Sequence, residues 1–177
     1  MSPFGAFKDW HDFYMLVGTA SATLVGLTFV AITIGATTMT RDNEAAVQAF
    51  ITPTVVHFAA ILIACLIILA PFKSQGSLGV ALLVEGVLGI TYSAWIVLFI
   101  RRQEFAARIE LTDRVWYALA PAVGYFMLAG AGGALIAEAD ASLAFLAAAL
   151  VVLLVAGIRN AWDMAVWIAL RSPTKDQ

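Results

Sequence analysis

Residues 13–36 read FYMLVGTASATLVGLTFVAITIGA, 24 positions without one charged side chain. An α-helix needs about 20 predominantly apolar residues to cross roughly 30 Å of hydrocarbon. The stretch is therefore predicted to be a membrane-spanning helix. A secretory signal is also apolar, but its hydrophobic region runs to about 7–15 residues behind a basic flank. Here Lys8, Asp9 and Asp12 precede a longer run, so it is expected to stay in the mature protein as a true span.

Four more runs of similar length follow. Residues 54–72 hold only His57, residues 78–100 carry one acid, Glu85, and residues 115–137 carry no charge. The fifth run, 142–164, stays apolar as far as Ile158 and then meets Arg159. The expected fold is an all-α, polytopic bundle of five transmembrane helices forming a single integral-membrane domain over residues 1–177. Two appendages are expected: a short interfacial segment over 1–12 and a cytoplasmic helical extension over 101–114. In the extension, Glu104/Arg108 and Glu110/Arg114 fall four apart, where opposite charges meet on a helix surface.

Composition agrees. The 177 residues are 62% apolar and 12% charged, where soluble domains run about 45–50% and about 25%. Twelve acids and ten bases leave a net charge of −2, so no nucleic-acid partner is expected. A single cysteine, Cys65, excludes an internal disulfide and a cysteine-based zinc module. No metal and no cofactor are expected, and the partners are the lipid bilayer and a homo-oligomer or larger membrane complex.

Basic residues near span ends are retained on the cytoplasmic side. Five spans put Arg41, Arg101, Arg102, Arg108, Arg114, Arg159, Arg171 and Lys175 on one side and only Lys8 and Lys73 on the other. The chain is accordingly expected in a plasma membrane, of the bacterial inner-membrane kind, with its N-terminus outside and its C-terminus cytoplasmic. Short polar linkers at 73–77 and 138–140 imply that spans two and three, and four and five, form tight antiparallel hairpins.

Several residues are candidates for function. Alternating steps of four and three along the first span give Thr19, Thr23, Gly26, Val30, Thr33, Thr37 and Thr40, five hydroxyls and a glycine on one stripe. Such a stripe can line a polar solute path, or each threonine can bond its own i−4 carbonyl in a packing seam. Gly18, Ala22 and Gly26 form a small-xxx-small ladder suited to helix packing or an oligomer contact. Glu85 sits about eight residues into the third run, and an acid at that depth is read either as a cation or proton site or as a protonated group bonded to a neighbouring helix. His57 is read as pH-responsive or as a snorkelling or hydrogen-bonded interfacial histidine.

Arg159 and Asp163 are expected to pair and to carry the last helix past the membrane surface, with Trp162 and Trp167 as anchors. Asp9, His11 and Asp12 are metal-ligand types without a second donor segment, so the aromatic-rich N-terminus is read as an interfacial anchor. No GxSxG, HExxH, paired intramembrane aspartates or P-loop occurs, and an enzyme is not expected. Two functions fit: a homo-oligomeric channel or carrier for an ion or small solute, with Thr19, Thr23, Thr33, Thr37 and Glu85 on its path, or a non-catalytic accessory or scaffold subunit.

Overall fold

The computed structural model describes residues 3–35, 52–102 and 115–171. Thr37 and the expected extension from residue 103 to 114 lie outside them. Within them the chain is all helix: α1 (Pro3–Gly35), α2 (Thr52–Leu69), α3 (Gln75–Arg101), a π-helical turn (Val115–Leu119) leading into α4 (Ala120–Ile136), and α5 (Ser142–Arg171). Five of the described helical segments are long and apolar enough to cross a membrane. The protein is an all-α membrane bundle.

The helices are not equivalent in that bundle. Half of the apolar window of α5 and 44% of that of α2 is buried, against 22% for α1 and 17% for α3. Phe58, Ile61 and Ala64 of α2 meet Leu128, Ala131 and Leu135 of α4 and Leu146, Leu150 and Leu153 of α5 in one core. The outer faces carry Leu16, Leu27, Phe29, Ile34, Leu88 and Phe126, as suits lipid contact. Lipid tails are as apolar as leucine, so what joins such helices is close fit and interhelical hydrogen bonding.

Both devices fix α1. A Cβ on Gly18 would stand 3.0 Å from that of Cys65, and one turn on the Ser21 hydroxyl donates to the Phe58 carbonyl at 2.6 Å. The Tyr14 hydroxyl, fully buried, donates to the Leu143 carbonyl of α5 at 2.8 Å. The aromatic N-terminal segment thus runs unbroken into the span, with Trp10 and Phe13 packed edge to face at 5.7 Å.

The closest pair is α3 and α4. A Cβ on Gly86 would fall 2.5 Å from the Ala129 nitrogen, and one on Gly132 would fall 2.5 Å from the Leu83 nitrogen. At those points backbone touches backbone, which only glycine allows. The α2–α3 connection is as short as its sequence suggests: α2 stops before Pro71, and the Ser74 side chain caps α3 by accepting from the Ser77 amide at 3.2 Å. Yet α3 turns from α2, touches it lightly, and lies along α4.

Two local features complete the fourth and fifth helices. In the π-helical turn the carbonyl of Trp116 would be served by residue 121, but Pro121 has no N–H. Asn160 of α5 supplies the missing donor, its side-chain amide reaching the Trp116 carbonyl at 3.3 Å. At the far end of α4, Glu138 takes a left-handed φ of 55°. That turn lets Ala139 N–H reach the Ala134 carbonyl at 2.9 Å and Glu138 N–H reach the Leu135 carbonyl at 3.2 Å, closing α4 with a Schellman motif. The Arg159 guanidinium pairs with Asp163 on α5, which continues to Arg171.

Candidate functional site

Because α3 follows α4 rather than α2, a cavity of about 490 Å³ lies between α2 and α3. Small side chains widen it: Ala59 and Ala60 on α2, Ala81 and Gly89 on α3. Val56, Ile63, Ile67, Val84 and Leu88 make its walls apolar. Three polar residues also line it, Glu85 and Tyr92 from α3 and Tyr125 from α4.

The spacing Glu85, Gly89, Tyr92 puts three lining residues on one face of α3. Both carboxylate oxygens of Glu85 are buried, and neither has a hydrogen-bond partner among the described residues. The same is true of the Tyr92 hydroxyl. Tyr125 is anchored: a Cβ on Gly89 would fall 2.1 Å from its ring, so the ring lies directly on the glycine. Its hydroxyl shares a 2.9 Å hydrogen bond with Nδ1 of His57. The imidazole is 2% exposed, with ring centroids 5.5 Å from Tyr125 and 6.3 Å from Tyr92.

Of the readings open for His57, the hydrogen-bonded one agrees with this geometry and a snorkelling side chain does not, since the ring is buried. It points into the bundle and steadies a wall of the cavity. The other sequence candidates separate. Thr19, Thr23 and Thr33 lie on the exposed side of α1, each hydroxyl donating to the carbonyl four residues back at 2.8–2.9 Å. Of the ladder, Gly18 packs on α2, while Ala22 is exposed and a Cβ on Gly26 would meet nothing within 4 Å. Asp9, His11 and Asp12 form no cluster that could hold a metal ion among the described residues. Among the described residues, neither Thr19, Thr23 and Thr33 nor the outer part of the ladder lines the space beside Glu85.

The chain matches no family model, no curated protein and no solved structure. What the cavity does must then be argued from its own chemistry. A carboxylate removed from water is costly unless it is paired or hydrogen-bonded. The two ionic contacts of the described residues, Arg159 with Asp163 and His11 with Asp12, involve other acids. Glu85 thus presents two buried oxygens without a partner among the described residues, set in an apolar wall beside two phenol rings.

Sequence reasoning found Glu85 and His57 but not Tyr92, Tyr125 or Gly89. The 85/89/92 spacing was a usable signal for two of them. For Tyr125 none existed, since its partners come from two other helices.

Proposed function

We propose that the protein is a channel or carrier subunit that handles a small solute inside the membrane, and that the Glu85 cavity is where the solute binds. The observation that carries this reading is the pair of buried carboxyl oxygens on a cavity wall, without a partner among the described residues. Intramembrane acids are retained at a cost in folding energy and characteristically serve ion or substrate pathways. The threonine stripe supports the reading less, because its described hydroxyls are spent on their own helix. We assign no catalytic role, and we place the chain in a plasma membrane, of the bacterial inner-membrane kind, with its N-terminus outside and its C-terminus cytoplasmic.

The test is solute-driven current in proteoliposomes adsorbed to a solid support, scanning small organic and inorganic cations. Wild-type protein is expected to give current above empty liposomes. Glu85→Gln is expected to lower it about tenfold, equivalent to about 1.4 kcal/mol, with assembly in mild detergent unchanged. Wild-type current no greater than that of empty liposomes overturns the reading.

One observation favours a second role. The exposed Ala22 and the open surface at Gly26 leave the outer face of α1 smooth enough for another helix to approach. An accessory or scaffold subunit would use that face, in a homo-oligomer or a larger complex. Gly26→Leu would then break a complex that Glu85→Gln leaves intact.

A further inference from the structure

We infer that the Glu85 cavity takes a lipid-soluble aliphatic amine in its ammonium form, reached sideways from the bilayer. The inference rests on the reading above that the cavity is a solute site, and adds the class of solute. Access comes first: the lining residues Ile63, Val84 and Leu88 are 49%, 52% and 64% exposed. The mouth therefore lies on the lipid-facing flank between α2 and α3, and a solute enters as something already dissolved among lipid tails.

The walls and the polar group then select the two ends of that solute. Apolar side chains accept a hydrocarbon tail and reward its burial little, because lipid does the same. Discrimination falls to the head. Without a partner the buried acid favours its neutral form; once ionised it is an acceptor only, and a positively charged donor is the solute that offsets the cost of holding that charge out of water. The aromatic rings of Tyr92 and Tyr125 line the same space, and an ammonium within about 6 Å of such a ring gains further attraction.

Competing solutes fit less well. A fatty-acid carboxylate would repel an ionised Glu85, and a neutral alcohol brings no charge to stabilise that form. Calcium takes 6–8 oxygen ligands, while the cavity wall offers two carboxylate oxygens and the unpartnered Tyr92 hydroxyl. The ammonium of a phosphatidylethanolamine headgroup has the right charge, but it sits at the membrane surface with a phosphate beside it. Glu85 lies ten residues beyond Gln75, roughly 15 Å along the axis of α3.

The experiment uses the full chain in phosphatidylcholine nanodiscs titrated with decylamine, decanol and decanoate, with empty nanodiscs subtracted. Calorimetry gives the binding, and the part of the tryptophan fluorescence that is lost in Trp95→Phe reports occupancy, the Trp95 ring lying 6.0 Å from that of Tyr92. Saturable decylamine binding is expected, at least about tenfold tighter than that of decanol, with decanoate not bound. Glu85→Gln should remove the preference, and Ala60→Phe, which fills the cavity, should remove binding altogether.

Equal binding of decanol and decylamine, both lost in Ala60→Phe, overturns the ammonium assignment and leaves the cavity as a solute site. Binding of none of the three, or binding untouched by Ala60→Phe, overturns the site itself. Loss of decylamine binding when phosphatidylethanolamine replaces phosphatidylcholine assigns the site to a lipid headgroup and overturns the free amine. Should Glu85→Gln fail to fold, the wild-type preference and Ala60→Phe decide the matter without it.

Discussion

Tyr125 joins three helices through one side chain: its ring lies on Gly89 of α3, its backbone belongs to α4, and its hydroxyl meets His57 of α2. Tyr125→Phe keeps the ring and removes only the hydroxyl, leaving a buried imidazole nitrogen without its partner. Interhelical hydrogen bonds in membrane proteins contribute about 0.6 kcal/mol on average, and an orphaned buried polar atom costs about 1–3 kcal/mol. A loss of about 1 kcal/mol is expected, measured by reversible unfolding in mixed micelles. Glu85 could be read from the sequence because a lone acid in an apolar run needs no partner to be noticed. Tyr125 could not, because its hydrogen bond spans 68 residues and nothing in one span says which span lies beside it.

The helices tell the same story at the next scale. Length and apolarity set where each span runs, and those bounds were legible. The rotation of each helix and its choice of neighbour were not. On α1 the ladder Gly18, Ala22, Gly26 has the spacing of a packing motif, but the bonds of Tyr14 and Ser21 turn the helix so that Gly18 alone of the three meets α2. The tight seam lies instead on α3 and α4, where Gly79 and Gly86 are seven apart and face Gly132 and Ala129. The two kinds of glycine should respond oppositely to one methyl group. Gly86→Ala sets a Cβ against backbone, which cannot move aside, and is expected to cost about 1–3 kcal/mol, in the range for overpacking. Gly26→Ala adds a methyl in open space and should be neutral or stabilising by about 0.5–1 kcal/mol through helix propensity. A paired unfolding measurement in mixed micelles that finds equal effects would contradict the seam.

For the whole molecule, five crossings would place the two ends of the chain on opposite sides of the membrane. Arg101 and Arg102 are exposed at the end of α3, and Lys73 is exposed at the opposite turn. Retention of basic ends on the cytoplasmic side predicts that a periplasm-active reporter fused at the N-terminus is active and one fused at the C-terminus silent. Reporters that agree at both ends would contradict either the orientation or the five crossings. The fold class was fully legible at this scale because it follows from composition and run length. The cavity was not, because it arises from a mismatch between chain order and packing order: a short turn ties α3 to α2 while glycines seat it on α4.

That mismatch also has a consequence in time. A nascent chain emerges from its N-terminus, so α3 leaves the ribosome ahead of α4. Until α4 follows, Gly79 and Gly86 lack the backbone of Gly132 and Ala129 that they lie against in the finished bundle. The seat of α3 is therefore completed only by a later part of the chain, and until that helix arrives the acid is carried by a half-made bundle.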